Sequence, residues 1–137
     1  MDPFLIFLAE DDEDDAEIYL EYLKKTFPLA KVRLFNNGKE LVEALDTSSL
    51  EPDFAILDIN MPIMNGIDAL AELRAQPATR DLPVYMLTSS DFDQHIERCH
   101  QLGLTTYFVK PFRVVDINRT FGLIRTQWLN RRPLIRS

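Results

Sequence analysis

Five short apolar runs recur along the chain, at Phe4 to Ala9, Val32 to Phe35, Phe54 to Leu57, Val84 to Leu87 and Thr106 to Val109. Each ends in polar residues, and the segments between them return apolar residues every three or four positions. The runs predict buried parallel strands; the segments predict crossover helices with one apolar stripe facing a sheet. Helices are expected over Ala16 to Phe27, with Ile18, Tyr19, Tyr22 and Leu23 as its stripe, then Lys39 to Leu45, Ile67 to Ala75, Phe92 to Leu102 and Val114 to Trp128. Pro28, Asn36-Asn37-Gly38, Pro52, Pro62, Asn65-Gly66, Pro77, Pro83, Gly103 and Pro111 all fall between elements, and Gly103 suits a C-terminal helix cap.

Five alternating units imply an α/β fold, a doubly wound five-stranded parallel sheet of flavodoxin-like (βα)5 type with strand order 2-1-3-4-5. A chain of 137 residues holds one such domain. In such sheets the ligand site lies beyond the carboxyl ends of the strands, at the switch in strand order. The first strand ends in Glu10-Asp11-Asp12, the third in Asp58-Ile59-Asn60, the fourth in Thr88-Ser89-Ser90 and the fifth in Lys110-Pro111. Because the first and third strands are neighbours in this order, Glu10, Asp11 and Asp58 are expected to converge. Three carboxylates in one cleft repel each other unless a cation joins them, and an all-oxygen set suits Mg2+. Asp12 to Asp15 are read as a helix cap and its acidic first turn. His95, Cys99 and His100 share a helix, but without further ligands they make a weak metal site.

Charge sharpens this picture. The chain has 15 Lys and Arg against 22 Asp and Glu, a net −7, which disfavours nucleic acid as a partner. The charge is uneven, with nine carboxylates and no Lys or Arg in residues 1 to 23 and six Arg beside one Asp in residues 113 to 137. Cys99 is the single cysteine, so no intrachain disulfide forms and a reducing, cytoplasmic setting is expected. No apolar run approaches the roughly 20 residues of a membrane span, and no membrane association is expected.

These residues resemble the receiver domain of bacterial two-component response regulators. The resemblance is carried by Glu10-Asp11-Asp12, by Asp58-Ile59-Asn60-Met61-Pro62-Ile63-Met64-Asn65-Gly66, by Leu87-Thr88-Ser89 and by Tyr107-Phe108-Val109-Lys110-Pro111, in that order and spacing. It implies that Asp58 accepts a phosphoryl group from a phosphohistidine on a sensor histidine kinase or a histidine phosphotransfer protein. It also implies that Mg2+ is held by the side chains of Asp11 and Asp58, the backbone carbonyl of Asn60 and, through water, Glu10. Lys110 and Thr88 would meet the phosphoryl oxygens, and Tyr107 would be an aromatic switch that turns inward as Thr88 moves. Lys110-Pro111 is a candidate cis peptide. Such a protein catalyses only its own phosphorylation and dephosphorylation, and it acts on a downstream protein through the face of its fourth helix, fifth strand and fifth helix.

The expected division is a receiver domain over residues 1 to 128 and a basic tail over 129 to 137, with no output domain. Trp128, Leu129, Leu134 and Ile135, set among arginines, suggest a partner contact or a homodimer through the last helix and tail. The stretch Gln76-Pro77-Ala78-Thr79-Arg80-Asp81-Leu82-Pro83 and this tail resemble single-domain regulators partnered with bacterial phytochrome-type kinases. Two alternatives remain at this point. A haloacid-dehalogenase-type phosphatase also uses a nucleophilic Asp with Mg2+, but carries a second Asp where this chain has Asn60. A flavin-binding module needs a phosphate-cradling first loop, and Glu10-Asp11-Asp12 would repel the phosphate.

Overall fold

In the computed structural model, which describes residues 4–47 and 51–131, the apolar runs form one parallel sheet in the order β2-β1-β3-β4-β5. The strands are β1 (Phe4–Ala9), β2 (Ala30–Phe35), β3 (Phe54–Leu57), β4 (Val84–Thr88) and β5 (Thr106–Val109). The helices are α1 (Glu13–Thr26), α2 (Gly38–Thr47), α3 (Gly66–Ala75), α4 (Asp93–Gln101) and α5 (Val114–Arg131). β1 pairs on one side with β2, Leu8 opposite Leu34, and on the other with β3, Leu8 opposite Ile56. Successive side chains leave a strand on opposite faces, so every strand feeds two cores. Phe7, Ala9, Leu57 and Met86 pack against Leu41, Leu70, Leu73 and Cys99 of α2, α3 and α4. Ile6, Leu8, Ile56 and Tyr85 pack against Tyr19, Leu23, Phe121 and Ile124 of α1 and α5. The three middle strands have both faces covered, which is why their sequences are apolar without alternation.

The element ends depart from periodicity where the chain is polar. α1 starts at Glu13 rather than Ala16, because the Asp12 side chain caps it by accepting from the Asp15 N–H at 2.9 Å and the first turn is acidic. Edge strand β2 starts at Ala30 rather than Val32, since the exposed Lys31 interrupts its apolar pattern. In the stripe of α1, Ile18 turns partly outward, and Ala16, Tyr19 and Leu23 are the buried residues. α4 stops at Gly103, whose φ of 75° is left-handed backbone open to glycine without a Cβ clash.

Two expectations are corrected here. Trp128 is not part of a partner-facing cluster: it is 6% exposed, with its ring 4.6 Å from Phe4 and 6.1 Å from Phe54. It closes the core beneath the start of β1, while Val114 at the start of α5 is exposed. The Lys110-Pro111 peptide is trans, as no cis peptide occurs among the described residues. Leu134 and Ile135 lie outside the described residues. Among the described residues no helix is long and apolar enough to cross a membrane.

Candidate functional site

Parallel pairing carries the carboxyl ends of β1, β3, β4 and β5 to one edge, where a cleft of about 1040 Å³ opens. Its lining includes Glu10, Asp11, Asp15, Asp58, Asn60 and Lys110. Glu10 and Asp58 follow their strands by one residue and are held by backbone: Glu10 N–H donates to the Phe35 carbonyl at 3.0 Å, and Asp58 N–H to the Ala9 carbonyl at 3.1 Å. Both carboxylates are nearly buried, at 2% and 4% exposure, whereas Asp11 is open to solvent.

Two glycines fix the loop that leaves Asp58. A Cβ on Gly66 would sit 2.1 Å from the Asp58 carbonyl oxygen, and one on Gly38 would sit 2.8 Å from the Met64 carbonyl oxygen. Only glycine lets α3 begin directly under the loop that follows Asp58, and Asn65 caps that helix by accepting from the Asp68 N–H at 2.9 Å. In the sequence Gly38 reads only as turn punctuation, and Gly66 as punctuation and as the end of the motif that begins at Asp58.

Lys110 binds the cluster together. Its N–H donates to the Thr88 carbonyl at 2.8 Å, and its Nζ lies 2.8 Å from Asp15 Oδ2, 2.9 Å from Glu10 Oε1 and 3.0 Å from Asp58 Oδ2. Burial works against the ammonium, but the hydrogen bonds it donates to Asp15, Glu10 and Asp58 outweigh it and hold its pKa well above the ordinary lysine value. Burial pushes the Glu10 carboxyl up to about 7, with the Asp58 charge adding to the rise and the Lys110 hydrogen bond opposing it. Asp15 corrects the sequence reading of Asp12 to Asp15 as helix start alone: Asp12 is the cap, but Asp15 is an ion-pair partner of Lys110.

Glu10, Asp11 and Asp58 each offer a carboxylate oxygen, and these atoms all lie within 4.8 Å of one another. Three hard oxygen donors, one of them facing solvent, fit a Mg2+-sized ion that keeps several waters. Among the described residues no other group of His, Cys, Asp and Glu is so arranged. His95 instead places Nδ1 2.7 Å from Ser90 Oγ, and Cys99 is fully buried in the core, its thiol pKa pushed up to about 11 by burial.

Thr88 and Tyr107 meet at Ser90. The buried Thr88 hydroxyl accepts from the Ser90 N–H at 3.3 Å, and the half-buried Tyr107 hydroxyl donates to the Ser90 carbonyl at 2.7 Å. Burial raises the Tyr107 pKa, so the phenol stays protonated and able to donate. The exposed Asn60 turns its N–H to Asp58 Oδ1 at 3.4 Å.

The chain as a whole is similar to known proteins. The chain is similar to a probable methanogenesis regulatory protein, FilR2, of Methanothrix harundinacea, with 28% identity over 96% of this chain and 89% of that one. It is similar to the response regulator Rcp1 of Synechocystis, with 26% identity over 93% of this chain and 90% of that one. The Mn2+-bound structure of Rcp1 superposes with a TM-score of 0.84 over 93% of this chain and 95% of that one, at 26% identity. The structure of the phosphorylated cyanobacterial phytochrome response regulator RcpA gives the same TM-score and coverage at 25% identity. The model of the response regulator receiver domain matches residues 6–121, a span that takes in Glu10, Asp58, Thr88 and Lys110 together. With the sheet order and the acidic cleft in agreement, the chain belongs to the response regulator receiver domain family.

Proposed function

We propose that Asp58 is the phosphoacceptor of a two-component response regulator, receiving its phosphoryl group from a phosphohistidine on a sensor histidine kinase or a histidine phosphotransfer protein. The observation that carries this reading is the 3.0 Å approach of Lys110 Nζ to Asp58 Oδ2 inside a nearly buried acidic cluster. A carboxylate oxygen of Asp58 forms the new P–O bond as the P–N bond to the donor imidazole breaks, giving an aspartyl phosphate and a free imidazole. Transfer of this kind depends on positioning and on neutralising the phosphoryl oxygens. Lys110 supplies a fixed positive charge beside Asp58, and the Thr88 hydroxyl, one strand away, supplies a hydrogen-bond donor. Glu10, Asp11 and Asp58, with the backbone carbonyl of Asn60, would hold Mg2+, which when bound offsets negative charge at the transferring group.

The reading of the signal follows from the Ser90 hydrogen bonds. A Thr88 hydroxyl turned to a phosphoryl oxygen gives up its bond from the Ser90 N–H, and Tyr107 is tied to the same residue. Phosphorylation at Asp58 therefore reaches the face formed by α4, β5 and α5, where a downstream protein would bind. The likeness to Rcp1 and RcpA supports a phytochrome-type kinase as donor. Nothing favours the phosphatase alternative, because position 60 holds an amide and cannot serve as a general acid.

The test is incorporation of phosphate from a small phosphodonor with Mg2+. One acid-stable, base-labile phosphoryl group is expected on the wild type and none on Asp58→Asn. Full labelling of Asp58→Asn would overturn the assignment.

A further inference from the structure

Three elements meet at Ser90. Its N–H donates to Thr88 Oγ1 on β4 at 3.3 Å, its carbonyl accepts from the Tyr107 hydroxyl on β5 at 2.7 Å, and its Oγ lies 2.7 Å from His95 Nδ1 on α4. A serine hydroxyl can donate or accept, so this last bond forms with either neutral tautomer of the ring. Thr88 and Tyr107 hold the backbone of Ser90, whereas His95 holds its side chain.

The first turn of α4 has little else to fix it. Cys99 is the buried residue of that helix, while Asp93 and Gln94 are exposed and His95 and Ile96 are half-buried. Phe92, at the N-cap, makes no side-chain cap hydrogen bond, so the free N–H groups of the turn gain no partner there. A polar helix that buries its apolar surface near its far end is held weakly by packing at its start. Among the described residues, the Ser90–His95 bond is the side-chain hydrogen bond that ties this turn to the end of β4. The same ring supports Phe92, which packs edge-on with centroids 5.3 Å apart and is 66% exposed.

We propose that His95 is a positioning residue for the phosphorylation signal: through the Ser90 side chain it makes the first turn of α4 follow the Thr88 hydroxyl. The proposal rests on Asp58 being the phosphoacceptor and names the side chain that carries its state into α4. A Thr88 hydroxyl that turns to a phosphoryl oxygen either draws Ser90 after it or leaves the Ser90 N–H unpaired in a nearly buried place, and Ser90 then moves to regain a partner. His95 passes that movement to the helix. Asp91 and Phe92, both exposed, would otherwise absorb it in the short loop between Ser90 and α4.

The experiment uses the full chain with Mg2+ and beryllofluoride, an acyl-phosphate mimic whose binding is confirmed by 19F NMR. Amide 1H–15N spectra then read the shifts that the mimic causes at Ser89 and at Gln94, His95 and Ile96. Ser90→Ala removes the hydroxyl and keeps both backbone hydrogen bonds, and His95→Leu removes the ring nitrogen. In each variant the shifts at Gln94 to Ile96 should fall about threefold or more while those at Ser89 persist. His95→Asn, whose amide puts a polar atom two bonds from Cβ where Nδ1 stands, should restore them. The double variant Ser90→Ala, His95→Leu should lose no more than either single one, because both remove the same bond. Undiminished α4 shifts in Ser90→Ala would overturn the proposal, as would failure of His95→Asn to restore what His95→Leu removes. Absence of mimic binding by the wild type would instead overturn the phosphoacceptor reading on which it rests.

Discussion

Ile63 carries a φ of 69° while 77% exposed, a left-handed conformation that a β-branched residue adopts only at a cost of roughly 1–2 kcal/mol. The strain sits in the loop between Asp58 and α3, whose other end is pinned by Gly66 against the Asp58 carbonyl. Since little of the Ile63 side chain is buried, Ile63→Gly should raise stability by about 1 kcal/mol, read as a higher midpoint in thermal or urea unfolding. An unchanged or lower midpoint would show that the loop is not strained there. At this scale the sequence was legible where chemistry restricts the residue type. Glu10, Asp11, Asp58 and Lys110 stand at strand ends where few other side chains would serve. Asp15 was hidden because an acid in a first helical turn already has a sufficient local reason, and its partner lies 95 positions away. The available signal was its place on the buried stripe of α1, four residues before Tyr19.

Elements were legible where their residues are apolar and missed at ends where they are polar. β3 has the same bounds in the sequence pattern and in the structure because all four of its residues are covered, whereas edge strand β2 and the acidic start of α1 obey polar rules that periodicity does not see. The side-chain contact that ties α3 to the turn after α4 was not legible. The guanidinium of Arg74 on α3 donates to the Leu102 carbonyl at 2.9 Å, to Thr79 at 3.2 Å and to Gly103 at 3.0 Å, joining α3 to the turn after α4. A long basic side chain near a helix end predicts only a favourable dipole contact. Arg74→Ala should destabilise the chain by about 2 kcal/mol, since it leaves three carbonyls without this charged donor. A loss below about 0.5 kcal/mol in urea unfolding would mean that water replaces the guanidinium freely.

Across the whole molecule, net charge is a poor guide to where charge acts. The value of −7 conceals a cleft in which Glu10, Asp11, Asp15 and Asp58 converge around the single ammonium of Lys110. A divalent cation held there binds the folded chain alone and stabilises it by mass action, about 2.7 kcal/mol at a concentration one hundred times its dissociation constant. Mg2+ should therefore raise the unfolding midpoint by several degrees beyond the effect of sodium chloride at matched ionic strength. Equal shifts from the two salts would reduce the effect to screening. The fold and its cleft followed from the alternation of apolar runs and striped helices, because strand order alone decides which carboxylates meet. The role of Trp128 did not, since its partners Phe4 and Phe54 come from the far end of the chain and from the middle of the sheet.

The central claim is that Asp58 is the phosphoacceptor, and the most direct measurement is to locate the modification. The full chain is treated with a small phosphodonor and Mg2+, reduced with borohydride to convert an aspartyl phosphate to homoserine, and mapped by peptide mass spectrometry. Homoserine at position 58 and at no other carboxylate is the result expected. A reduced residue at another position, or none in a chain that has incorporated phosphate, would contradict the account.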